Sequence, residues 1–114
     1  EVVSIIGTDT ELRLQEIMVA LHILRRDITI SNAGNKQGYL AKLDAAVDKV
    51  AAGLDALHGG NAILAGNSMN TAVNLLSALH NLLLAQKGKK ITLDHADDWR
   101  TRVDMLSAQL SAFP

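Results

Sequence analysis

The sequence predicts an all-α fold: one domain, residues 1–114, built as an antiparallel up-down-up-down four-helix bundle. Three observations carry that expectation. Four stretches repeat their apolar residues at alternating steps of three and four, the spacing that lines one face of a helix. The only proline is the last residue, so no helix is interrupted from within. Hydrophobic residues make up 48% of the chain, yet only one Trp, one Tyr and one Phe are among them. A core of Leu, Ile, Val, Ala and Met suits helices better than a β-sandwich. A chain of this length buries such a core without a metal or disulfide staple.

Residues 1–7 read as an extended arm or as the first turns of a helix. Thr8-Asp9-Thr10-Glu11 has the Thr-x-x-Glu form of a capping box, which argues for a start of helix 1 at Thr8. From there Leu14, Ile17, Leu21, Leu24 and Ile28 keep a heptad seam to an end near Ile30. Residues 31–38 are a loop by composition. Helix 2 follows with Leu40, Leu43, Val47, Val50, Leu54 and Leu57 as its seam, and stops at His58-Gly59-Gly60, where a glycine can turn left-handed.

Helix 3 starts at Asn61 as its cap, or later at Asn67 or Ser68. Its seam is Ala65, Met69, Ala72, Leu76, Leu79 and Leu83, and it ends at Lys87-Gly88-Lys89-Lys90. The lysines suit the negative end of the helix dipole, and Gly88 is a left-handed terminator. Thr92 caps helix 4, Asp94, Asp97 and Asp98 occupy its first turns, and Ala96, Trp99, Val103, Leu106, Leu110 and Phe113 form its seam. Asp98 and Arg102 are spaced to pair at i, i+4. Short loops make consecutive helices antiparallel. The loops after helices 1 and 3 then share a mildly basic end holding Arg25, Arg26, Lys36, Lys42, Lys87, Lys89 and Lys90, offset by Asp27, Asp44 and the helix 4 aspartates.

Charge and composition narrow the function classes. Eleven Lys and Arg stand against 12 Asp and Glu, so no basic surface for nucleic acid is expected. The absence of cysteine removes disulfides and thiol nucleophiles. His22, His58, His80 and His95 lack metal-ligand spacing and read as surface or capping residues, so no metal is expected. Glu11 and Glu16 make a poor acid–base pair, and no nucleophile elbow or phosphate loop is present, so neither enzyme nor cofactor is expected. Chain start Glu1 reads as a mature form or an excised piece.

Two features stand out. From Ala56 to Gln86 the chain has 31 residues without one Asp, Glu, Lys or Arg. Off the helix 3 seam lie Asn67, Asn70, Thr71, Asn74, Ser77, His80 and Asn81. A helix face that is polar but uncharged suits a middle position among helices, a polar pocket or a contact with a second chain, with Asn70, Asn74 and Asn81 as its interface residues; a solvated face lacking charge is the plainer reading. The second feature is Arg25-Arg26, the only adjacent arginine pair, able to hold a carboxylate or another small anion, or simply suited to the dipole at a helix end.

Ile6, Gly7, Glu11, Leu12 and Arg13 resemble the opening of PilJ-type sensor domains, which belong to type IV pilus chemotaxis transducers and are similar to nitrate/nitrite sensor kinase domains. That family opens its first helix with Ile-Gly or Ala-Gly, then Glu-Leu-Arg or Gln-Arg-Met. Leu57-His58-Gly59-Gly60-Asn61 stands where it has a Leu and a Gly-Asp turn after helix 2, and length and helix order agree. The chain departs at Asp9-Thr10, where the family has a small Ala-Gly pair, and lacks the Ser-Gln-Arg that follows; Asp9 sets a negative charge beside the matching arginine.

The resemblance implies a sensory domain of a bacterial transmembrane chemoreceptor or sensor kinase, periplasmic or extracellular, working as a homodimer. Flanking membrane helices would lie outside this chain, and both termini at one end of the bundle suit that insertion. Helix 1 would meet its copy around Gly7, Thr10 and Arg13; Arg13 would orient a small polar or anionic ligand and Thr10 would hydrogen-bond it, with Arg25 and Arg26 as the second site. Displacement of helix 1 or helix 4 would be the signal. The alternative is a soluble helical interaction module, such as an export chaperone, a secreted effector domain or an assembly component, working through the uncharged face of helix 3. A bundle that opens around an apolar ligand is a third reading.

Overall fold

The computed structural model describes the backbone of residues 2–112 and the side chains of residues 11–112. Four helices form the fold: α1 (Val2–Ile30), α2 (Lys36–His58), α3 (Ala62–Gln86) and α4 (Leu93–Ser111). Each packs on its neighbour in sequence and α1 closes the ring against α4, while across the diagonal the Tyr39 ring of α2 meets Trp99 of α4. The connection at 59–61 spans about 10 Å at most, whereas α3 is about 37 Å long, so α3 runs back beside α2. Side-chain pairs record the same antiparallel course elsewhere. Glu11 on α1 meets His58 at the end of α2 (3.2 Å), and Arg25 meets Asp44 near its start (2.6 Å). On α3 and α4, His80 meets Asp104 (2.8 Å) and Lys87 meets Asp97 (2.7 Å). The Gly34 N–H donates to Lys90 O (2.8 Å), which ties the two loops of one end together.

α1 corrects one expectation: it begins at Val2, not at Thr8. A Thr-x-x-Glu spacing marks a helix start only where the residues before it must leave the helix, and no Pro or Gly-rich run precedes Thr8 to force that. The expected seam residues Leu14, Ile17, Leu21, Leu24 and Ile28 are all buried.

α2 corrects two more. It begins at Lys36, so the loop shrinks to residues 31–35; Asn35 takes a left-handed turn (φ 62°) and its carbonyl accepts from Gly38 and Tyr39. Its buried line is Tyr39, Leu43, Ala46, Val50, Gly53 and Ala56, whereas Leu40, Val47, Leu54 and Leu57 flank it half-buried. Gly53 sits where α2 packs closely on α3. A Cβ at Gly53 would overlap Met69 Cε and sit 3.5 Å from the backbone oxygen of Ala65. The larger apolar residues fill the wider gaps on either side.

α3 follows its expected seam, with Ser68 buried beside it. The Asn61 side chain accepts from Leu64 N (3.0 Å), so the helix starts at the earlier of the two expected positions. Thr92 caps α4 by accepting from His95 N (3.1 Å), and Ala96, Trp99, Val103, Leu106 and Leu110 are buried as expected. Phe113 lies outside the described residues.

Gly60 (φ 77°) and Gly88 (φ 75°) supply the left-handed turns after α2 and α3. A Cβ at Gly88 would make only ordinary contact with Leu93, 3.5 Å away, so the cost of a side chain there is conformational. Gly88→Val is expected to destabilise by about 1–2 kcal/mol. Gly59→Val serves as the control, since φ is −83° at that position. Equal melting temperatures for the two variants would contradict the assignment.

Candidate functional site

α1 and α4 make the smallest contact in the ring, and a groove of about 650 Å³ runs between them. On α1 it is lined by Arg13, Glu16, Ile17, Ala20 and Ile23; on α4 by Arg102, Met105, Leu106 and Gln109, with Ala112 at its C-terminal cap. Both sets follow the three-and-four stepping of one helix face, one position round from the core seam. Ile17 and Leu106 are buried and form its apolar floor, while Ala20 and Ala112, being small, leave it wide. Arg13, Glu16, Arg102 and Gln109 supply polar groups. Arg102 is held by Asp27 of α1 (2.9 Å) and by Asp98 (3.3 Å), the expected i, i+4 pair. Such a lining, apolar below with fixed polar groups above, suits a small amphipathic molecule.

Of the residues that sequence reasoning assigns to a ligand, Arg13 lies in this groove. Gly7 and Thr10 fall on α1 but outside the residues whose side chains are described. Arg25 and Arg26 sit at the far end of α1 and turn to different carboxylates. Arg25 donates to Asp44 through Nε (2.6 Å), and that hydrogen bond, with the attraction of the carboxylate, raises its pKa. Arg26 lies 3.5 Å from Asp27. Neighbours on a helix point about 100° apart, so adjacency in sequence does not aim two guanidinium groups at one ligand. Ile23, Met105 and Gln109 have no role in the sequence reading; the signal that could find the first two is a large apolar side chain lying off the seam.

Part of the basic end is neutralised in place. Besides Arg25 and Asp44, Asp97 receives Lys87 (2.7 Å) and Arg100 (3.3 Å), and the Lys87 hydrogen bond first of all holds its carboxyl below the usual range. A second hollow of about 440 Å³ lies at this end between Asn32, Gly88, Lys90 and His95. The histidines take separate posts: His22 is exposed, His58 and His80 meet Glu11 and Asp104, and His95 stacks on Trp99 with ring centroids 5.0 Å apart.

On α3 the residues Asn67, Asn70, Thr71, Asn74, Ser77 and Asn81 line the outside of the bundle, and Ile63, Leu64 and Leu84 are exposed beside them. The uncharged face is thus an outer surface of the single chain, not a middle position among its own helices. Among the described residues no helix is long and apolar enough to cross a membrane. No family model, curated protein or solved structure matches this chain.

Proposed function

We propose that this chain is a ligand-binding sensory domain, responding to a small amphipathic anion by displacement of α1 against α4 in a dimer. The observation that carries the reading is the groove itself: an apolar floor and an arginine on its lining, set between the two helices with the least contact to hold them together. A ligand with a carboxylate and a short apolar body would bury the body on Ile17 and Leu106 and offer its charge to Arg13, whose planar fork suits two oxygens. Wedging α1 from α4 would convert occupancy into helix movement, since packed interfaces shift between discrete arrangements. The resemblance of Ile6, Gly7, Glu11, Leu12 and Arg13 to PilJ-type sensors supports the same reading, and with it a periplasmic or extracellular setting in a chemoreceptor or sensor kinase.

The test is calorimetric titration of short-chain carboxylates, amino acids and nitrate against the parent, Arg13→Ala and Ala20→Trp. The expected result is binding of an apolar-tailed carboxylate, weakened about tenfold by Arg13→Ala and abolished by Ala20→Trp, which fills the groove. Binding untouched by both substitutions moves the site elsewhere, with Arg25 and Arg26 next.

A second reading, a helical interaction module, rests on the outward, charge-free face of α3 carrying Asn70, Asn74 and Asn81. Asn70→Lys with Asn74→Lys separates the two. It would abolish capture of a partner by α3 and leave anion binding in the groove unchanged.

A further inference from the structure

α1 is apolar on two opposite sides. Its inner seam is the buried line from Leu14 to Ile28. Its outer side carries Leu12, Val19, Ile23 and Ile30, large apolar residues that remain 52%, 57%, 40% and 75% exposed. They are not scattered. Leu12, Glu16, Val19, Ile23, Arg26 and Ile30 step by four and three without a miss, the spacing of a coiled-coil seam. Four of its six positions are apolar, and the other two hold one acid and one base, both exposed.

We infer that this outer seam pairs with the same seam of a second copy of the chain, with the two α1 helices antiparallel. The placement of the two charges decides partner and direction. About a two-fold axis at the level of Leu21, Leu12 falls opposite Ile30 of the second copy, Val19 opposite Ile23, and Glu16 opposite Arg26. Every apolar residue then meets an apolar one, and each charge meets its opposite, twice per dimer. In a parallel pair each residue faces its own copy, which sets Glu16 on Glu16 and Arg26 on Arg26 inside an apolar seam; like charges so placed are destabilising. An interface in which residue i meets j and j meets i is what a two-fold dimer requires. An unrelated partner would have no reason to find an acid and a base at matched distances from one centre.

The inference keeps the groove of the sensory reading, because the seam lies beside it and not in it, but replaces that reading's membrane-anchored dimer with an antiparallel one. The two surfaces share Glu16 and Ile23, so closing the dimer would stiffen the α1 wall against which a ligand packs. Antiparallel pairing also sends the two α1 N-termini in opposite directions. A receptor with both copies anchored the same way up in one membrane needs the parallel pair.

Since the chain has no cysteine, single-cysteine variants report orientation directly. Leu12→Cys and Ile30→Cys replace exposed residues and are expected to fold as the parent does, which circular dichroism checks. Carrying tags of different size, the two are mixed at submillimolar concentration and oxidised. The expected product is the mixed dimer, its disulfide joining the Leu12→Cys chain to the Ile30→Cys chain, with each variant alone giving little. Homodimers from each alone, and no mixed excess, would establish the parallel pair and overturn the proposal. Sedimentation adds a second arm. Glu16→Arg alone and Arg26→Glu alone should each weaken the dimer about tenfold or more, and the double swap should restore it. A parent that stays monomeric, or a double swap no better than the singles, refutes the pairing. Leu12 and Ile30 lie outside the groove lining, so the crosslinking arm is read apart from the titration of the groove, whereas the Glu16→Arg variants change a groove residue and are read for assembly alone.

Discussion

Val50→Asp should lose about 4 kcal/mol or more of stability near neutral pH, the largest effect expected of any single substitution discussed for this chain. Val50 is fully buried in the inner line of α2, one turn from Gly53 and from Ala46. A carboxylate there has neither water nor room to relax, since the site is fully buried and, one turn on at Gly53, α2 already packs against Met69 and Ala65 of α3. Burial disfavours the charged form, so the introduced acid would have its pKa raised. The sign of the pH dependence follows. Below the unfolded value, about 3.9, both states carry the neutral acid and only the polar-group cost remains. Above it the unfolded chain ionises first, and stability falls by about 1.4 kcal/mol per pH unit until the folded pKa is reached. Urea titrations followed by Trp99 fluorescence, the chain having one Trp, measure both the loss and the slope. A variant as stable as the parent, or one equally destabilised at acid and neutral pH, would contradict the burial of Val50.

How much of this is legible in the sequence depends on what kind of residue marks each face. α3 reads off directly, because Ala65, Met69, Ala72, Leu76, Leu79 and Leu83 have mostly Asn, Thr and Ser competing on the opposite side. α2 reads one position off. Its leucines and valines draw the eye, but the buried line also runs through Ala46, Gly53 and Ala56, whose small size looks like weak evidence in a hydrophobicity pattern; at Gly53 that smallness is what lets α2 approach α3. Tyr39 escapes notice because composition extends the loop to Gly38, and an aromatic just past a loop looks peripheral. The caps Asn61 and Thr92 and the turn at Gly88 are legible because each is a local device, set by the residue and its next few neighbours.

The groove is not legible, since it depends on how far α1 stands from α4, a property of neither helix alone. Arg13 is singled out by resemblance, and Arg102 only as the partner of Asp98. The outer seam of α1 is present in the sequence, but hidden behind a better explanation. Leu14, Ile17, Leu21, Leu24 and Ile28 account for the helix so completely that Leu12, Val19, Ile23 and Ile30 pass as incidental. Exposure is what separates the two lines, and exposure belongs to the folded chain.

Trp99→Ala should cost about 3–5 kcal/mol, a large share of the roughly 5–15 kcal/mol expected for a domain of this size. Trp99 anchors the end of the bundle where the loops after α1 and α3 meet. It is almost fully buried, lies 6.4 Å from Tyr39 of α2 between ring centroids at a 58° tilt, and is covered by His95. Three aromatic-type rings from two helices thus fill the space that aliphatic side chains fill elsewhere. Removing the indole leaves a cavity next to the Tyr39 ring, and the loop tie between Gly34 and Lys90 limits how far the helices can close on it. Tyr39→Phe is the contrasting substitution. The Tyr39 hydroxyl is buried with no hydrogen-bond partner among the described residues, and burial raises its pKa. Deleting that oxygen keeps the ring and removes an uncompensated polar group, so Tyr39→Phe is expected to be neutral or to gain up to about 1 kcal/mol. Since Trp99→Ala removes the fluorescent probe, far-UV circular dichroism against urea measures both variants on one scale. If Tyr39→Phe loses more than Trp99→Ala, the hydroxyl has a partner and the ring cluster is not what closes this end of the bundle.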